Sequence, residues 1–217
     1  YANEDVMMYA SYSTGFKAGG TNADRIATGF DPVFGPEKTE SAELGMKGTF
    51  GRLRLAVSLY QTDVEDFQAN SFTGTGFNLL NAGEIELQGA EVEWSWQVSE
   101  NIGLNGYFAR NEGEFVTFTN GTCWDSDPFH TGLPDPGQPP QFNPIIMPEV
   151  CDRSGSKIGY NPENRAMVAV NLDFPMGDND LFFRVEGTYA SEQFTDGDLD
   201  PFTLQEAVTL VNIRAGL

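Results

Sequence analysis

No stretch of this chain approaches the roughly 18 consecutive apolar residues that a membrane-spanning helix requires, which excludes a helical membrane protein. Basic residues are scarce, with 12 Lys and Arg against 32 Asp and Glu and a net charge of −20. Nucleic acid is therefore not expected as a partner, because phosphate binding rests on Lys and Arg clusters. The acidity has two readings, solvated loops with a polar lumen or attraction for cations, and charge alone does not separate them. The single histidine, His130, has no triad partner near it in sequence. No nucleophile, base and orienting group can be assembled, so no enzyme is expected. The glycine-rich Gly15–Gly20 segment is followed by neither a Walker nor a dinucleotide pattern, and no cofactor is expected. Asp196, Asp198 and Asp200 are spaced like the start of a calcium loop, but Pro201 and Ala207 stand where Gly and Glu are required. Cysteine is limited to Cys123 and Cys151 in one long irregular segment. With a lone His130 they make no metal ligand set. An even pair there fits a disulfide formed in an oxidising compartment.

What the chain does contain is alternation. In Ser41–Phe50, Ala42, Leu44, Met46, Gly48 and Phe50 fall on one face, and Ser41, Glu43, Gly45, Lys47 and Thr49 on the other. Leu53, Leu55, Val57 and Leu59 then oppose Arg54, Ala56, Ser58 and Tyr60, after a gap that admits only a tight turn. The same period of two recurs around Val6–Ser13, Ile102–Ala109, Arg165–Phe174, Leu181–Tyr189 and Val211–Leu217. One run changes phase: Ile85 and Leu87 are apolar at odd positions, but Ala90, Val92, Trp94, Trp96 and Val98 at even ones. A β-bulge at Gln88–Gly89 would produce that shift. About eight antiparallel strands are expected.

The connections also alternate, short at Phe50–Arg52, Ser99–Asn101 and Pro175–Asp180, and long at about Gly15–Lys38, Gln68–Phe77, Phe115–Asn164 and Thr195–Thr203. Short turns at one end and long loops at the other are the arrangement of an outer-membrane barrel, long loops outside the cell. Lys47, Arg54, Arg184, Glu186 and Arg214 all fall on the polar face, where a charge avoids the lipid. Glu91 and Glu93 share that face and are expected to pair with Arg or Lys. A soluble β-sandwich also alternates, but the aromatic ends of these apolar faces (Tyr12, Phe50, Trp94, Trp96, Phe174) suit two lipid–water interfaces.

Four motifs carry a family resemblance. Met8–Gly20 (MYASYSTGFKAGG) resembles the YASYSxGFKxGG segment of TonB-dependent receptors, and Pro36–Lys47 resembles that family's PExxxxxELGxK. Gly89–Glu93 resembles its GxExE strand, and Leu210–Arg214 its LVNLR. The resemblance implies a periplasm-facing plug inside a barrel of about 22 strands. It also implies uptake of a scarce solute, most often a ferric siderophore and otherwise cobalamin or oligosaccharide, driven through the TonB energy-transducing protein. Outer-membrane lipid is the implied surrounding. No signal peptide, plug or TonB box is recognisable at or before Tyr1, and the chain stops at Leu217 without a terminal aromatic strand. A partial barrel domain over residues 1–217 without its plug is expected. The rival reading is an autonomous eight-stranded barrel with a structural or adhesive role, which would close by pairing its first and last strands.

The long segment Thr117–Tyr160 is rich in proline, and a disulfide between Cys123 and Cys151 would restrict it into a lid. Its aromatics Trp124, Phe129 and Phe142 are the ligand-binding candidates; packing of the loop's own small core is the competing reading.

Overall fold

The computed structural model describes residues 5–22, 31–72, 77–119, 121–123, 130–134, 149–177 and 179–217. Eight long strands form one sheet: β1 (Val6–Lys17), β2 (Glu37–Phe50), β3 (Leu53–Glu65), β4 (Glu84–Gln97), β5 (Ile102–Thr117), β6 (Asn164–Met176), β7 (Asn179–Ala190) and β8 (Val208–Gly216). Each pairs antiparallel with the next in chain order. Phe50 pairs with Leu53, leaving a two-residue turn. Its first central residue, Gly51, has φ 62° and Arg52 does not, the type II′ pattern that matches strand twist. Gly177 takes φ 68° in the β6–β7 turn.

Alternation sorts the side chains as the sequence pattern requires. On the apolar face Leu44, Leu59 and Ala90 lie side by side across three strands, and Val170 lies between Leu104 and Val185. This face is uncovered: Leu44 is 61% and Ile213 72% exposed, and Leu59, Val168 and Val185 are exposed too. Monomeric soluble proteins rarely leave a contiguous apolar surface so large. Phe50, Trp96 and Phe174 sit near the short turns; Tyr12 and Tyr189 lie toward the loop end, and all five are exposed. Such a band is built for lipid.

The sheet is open. Among the described residues no ladder joins β1 to β8, so the closed eight-stranded barrel is not what this chain forms. A partial barrel is.

The bulge expected at Gln88–Gly89 is absent, and this corrects the sequence reading. Gln61 pairs with Gln88 and Tyr60 with Gly89, and the ladder to β5 runs through the same residues without a shift; the irregularity lies at Glu84/Ile85. The strand keeps its phase while its surroundings change. From Ala90 to Trp96 the even positions belong to the uncovered apolar face. Before Gly89 the even positions carry Glu86 and Gln88, while Ile85 and Leu87 turn onto a small core. The polarity of the two faces inverts at Gly89.

That core sits at the loop end. Val64, Ala82, Ile85, Phe115 and Phe118 are buried together, with Phe67, Ala69, Leu80, Leu87 and Ile158 packed against them. Phe118 and Phe67 flank the Phe115 ring at centroid distances of 4.9 Å and 6.3 Å. Among the described residues it is the one cluster of buried apolar side chains, so loop ends, not a protein interior, carry the packed hydrophobic contacts.

Candidate functional site

Two surfaces have the chemistry for a ligand: the platform of loops above the strands and the polar face below it. The platform is tied by side-chain amides. Gln68 is buried; its Nε2 donates to the Ala18 and Gly35 carbonyls (3.1 and 3.0 Å), and its backbone N–H donates to Glu37 Oε2 (2.9 Å). Asn81 accepts from the Gly35 N–H (2.7 Å) and donates to the Asp66 carbonyl (2.7 Å). Asn22 donates to the Leu79 carbonyl and accepts from the Leu79 N–H, both at 2.9 Å, completing the missing half of a strand pair. Amides suit this work because each offers a donor and an acceptor to backbone groups that burial would leave unmet.

On the other side of the platform, Gly121–Thr122, Glu149–Cys151 and His130–Pro134 form a three-stranded ribbon. Cys123 and Cys151 are joined by a disulfide with Cα atoms 5.3 Å apart, inside the usual range for such a bridge. Cys151 and Arg153 are buried beside the core, and the Arg153 N–H donates to the Phe118 carbonyl (2.7 Å). Asp152 accepts from the Ser154 hydroxyl and N–H, and these bonds hold its carboxyl below the usual range. Trp124, Phe129 and Phe142 lie outside the described residues.

The Asp196–Asp200 segment uses its carboxylates on its own backbone. Asp196 Oδ1 accepts from Gly197 (2.6 Å), Asp198 Oδ1 from Asp200 (3.1 Å), and Asp200 Oδ1 from Phe202 (2.9 Å), capping the turn Pro201–Thr203. Partial burial pushes the Asp198 carboxyl up, and the neighbouring Asp196 and Asp200 add to it. Among the described residues no three His, Cys, Asp or Glu side chains converge as a metal site.

The polar face carries both signs of charge. Strands β2–β4 present Glu43, Glu91 and Glu93 together with Lys47 and Arg54, while β6–β8 present Arg165, Arg184 and Arg214 together with Glu186. Tyr9 donates to Glu43, and Lys47 lies 5.7 Å above the Tyr9 ring centroid. Arg184 bonds Glu186 (2.6 Å) and Asn171 (2.7 Å), and Asn171 bonds Asn105 (2.9 Å), which links β5, β6 and β7. Glu91 and Glu93 have no ion pair among the described residues, contrary to the sequence expectation. Their nearest cross-strand partners on β3 and β5 are Ser58, Ala109, Ala56 and Tyr107, none of them cationic. Sequence reasoning missed the clasp residues Asn22, Gln68 and Asn81, because an amide in a loop carries no signal that distinguishes a clasp from a solvated side chain.

A family model described as "TonB dependent receptor-like, beta-barrel" matches residues 1–217. The chain belongs to the TonB-dependent receptor β-barrel family. Members of this family are outer-membrane barrels that act as transport receptors. Solved receptors share its fold. The ferric yersiniabactin uptake receptor of Yersinia pestis aligns at a TM-score of 0.69 and 21% identity over 97% of this chain and 27% of its own. The ferric preacinetobactin receptor of Acinetobacter baumannii aligns at 0.63 and 17% over 99% and 27%. A copper transporter, OprC, aligns at 0.62 and 12% over 98% and 29%. At these identities the likeness is one of fold. This TonB-dependent receptor barrel segment spans about a quarter of the chains it matches.

Proposed function

We propose that this chain is the lipid-embedded wall and part of the extracellular platform of a receptor for TonB-dependent uptake of a scarce solute, a ferric siderophore. The observation that carries the reading is the family match along the whole chain. A long apolar band crowned by a clasped, disulfide-bearing loop platform supports it, since loops held by a rigid scaffold are where ligands are taken. The names of the yersiniabactin and preacinetobactin receptors favour iron complexes over other solutes. In this reading the long loops are extracellular, and the plug and the TonB contact lie in the rest of the receptor. Trp124, Phe129 and Phe142 contact the ligand from the loop that Cys123 and Cys151 close.

The test is uptake of radiolabelled ferric siderophores by cells expressing the full-length receptor, with and without TonB. Uptake that needs both is the expected result. Accumulation of copper but not iron would replace the proposed solute, and uptake indifferent to TonB would defeat the reading.

A further inference from the structure

A second place for a ligand lies on the polar face, beneath the platform. Glu91 pairs in register with Ala109, and Ala109 with Arg165, so a carboxylate and a guanidinium stand on either side of a one-carbon side chain. Two strand spacings separate their backbones, about 10 Å. The small floor leaves a cavity of about 350 Å³, walled by Tyr60, Tyr107, Asn111 and Asn161 as well as the two charges, with a second carboxylate, Glu93, also in its lining. That volume is at the lower end for small-molecule pockets.

Neither charge is neutralised: among the described residues Glu91 and Arg165 make no ion pair. The roof adds an independent sign of a ligand. Asn111 Oδ1 is buried and has no hydrogen-bond partner. Its identity as an oxygen is fixed by its neighbour. Asn161 Nδ2 donates to the Asn111 carbonyl (3.2 Å), so Asn161 Oδ1 accepts from Asn111 Nδ2 (3.2 Å) and the remaining Asn111 atom is an acceptor. A buried acceptor without a donor is costly and calls for an N–H or O–H from outside.

We propose that this pocket binds a zwitterion of dipeptide size, its ammonium group directed to Glu91 and its carboxylate to Arg165, with an N–H for Asn111 Oδ1. A simple cation would leave Arg165 unmet and a simple anion would leave Glu91 unmet. Charge-assisted bonds at both ends select a solute carrying both signs. The proposal rests on the reading of the polar face as the wall of a solute path.

The probe is glycylglycine, titrated into the purified full-length receptor in detergent and followed by saturation-transfer NMR. N-acetyl-glycylglycine lacks the ammonium group and glycylglycine amide the carboxylate. Saturable binding of glycylglycine alone is expected, weakened at least tenfold by Glu91→Gln and by Arg165→Met. Ala109→Leu, which fills the floor, should abolish it while heat-modifiable migration shows an intact barrel. No saturable binding to the wild-type receptor overturns the proposal, as do equal binding of the blocked dipeptides or unchanged affinity in both charge variants. If wild-type receptor takes up ferric siderophore but fails to bind the dipeptide, the pocket alone is wrong. If it binds the dipeptide but shows no TonB-dependent uptake, the transport reading alone is wrong.

Discussion

At the residue scale, several strand glycines act as seats for aromatic rings. Gly45 lies directly across from Tyr9, Gly89 from Tyr60, Gly106 from Trp94 and Gly216 from Phe182. In each pair the ring covers the space that a Cβ would fill. The glycine weakens its own strand, and the ring across from it restores cover over the exposed backbone. Gly89 shows what an added methyl would meet, namely the Tyr60 ring and the Arg110 carbonyl oxygen at 2.6 Å. The second is backbone and has no room to yield. Gly89→Ala should therefore destabilise the folded receptor by about 1–3 kcal/mol, the usual cost of overpacking. Gly187→Ala, with nothing within 4 Å of the new carbon, is the matched control. Equilibrium unfolding from lipid vesicles measures both, and equal stability of the two variants would show that the ring and carbonyl move aside freely. Gly89 was legible in sequence as special, but for the wrong reason: periodicity shows that a phase changes and does not show which solvent lies on each side. The clasp amides Gln68 and Asn81 were not legible at all, since their partners lie 33 and 46 residues away in chain order.

At the scale of the element, strand faces were readable because each strand separates two solvents and side chains strictly alternate. Leu55 and Val170 stand on the apolar face, and Ser58 stands on the polar one between Gly45 and Glu91. Val170→Arg should cost about 2–4 kcal/mol, the penalty for Arg near the bilayer midplane, and Leu55→Arg less, because Leu55 pairs with Trp94 close to the short-turn end. Ser58→Arg should be tolerated, with Glu91 beside it. Comparable folding yields for the three variants would mean that the faces are assigned wrongly. A second consequence of register appears only in the paired sheet. Glu40, Asp63, Glu86 and Glu114 stand in one cross-strand row, each directly opposite the next. Sequence places each as a polar residue at a strand end but cannot align them, because alignment depends on how every hairpin is registered. Like charges directly opposite are destabilising, so Asp63→Asn, which removes a charge from the middle of the row, should stabilise the fold by about 0.2–1 kcal/mol. The gain should shrink in high salt, since the row is outside the lipid and open to screening. A loss of stability in low-salt unfolding experiments would show that the row is already neutralised by bound cations.

At the scale of the whole molecule, the strands and the loop platform are held by different forces. The sheet rests on backbone ladders behind an uncovered apolar band, whereas the platform rests on its buried aromatic cluster, its amide clasps and one covalent bond. The bridge between Cys123 and Cys151 closes a separation of 28 residues. In the chain-entropy account, closing a loop of that size restricts the open ensemble by about 3–4 kcal/mol. Where that stabilisation acts follows from the topology. Cys151 belongs to the ribbon above the strands, Arg153 follows it, and the Arg153 N–H bonds the Phe118 carbonyl of the core, so the bridge pins the ribbon to the cluster around Phe115. None of the ladders among the eight long strands passes through either cysteine. Reduction, or Cys151→Ser, should therefore leave heat-modifiable migration of the full-length receptor unchanged while protease nicks the chain between Thr117 and Tyr160. Capture of ferric siderophore by intact cells should weaken in parallel, because in the proposed reading this loop contacts the ligand. A reduced receptor that loses its barrel would show that the bridge supports the strands after all, and full ligand capture without the bridge would remove the loop from the binding surface.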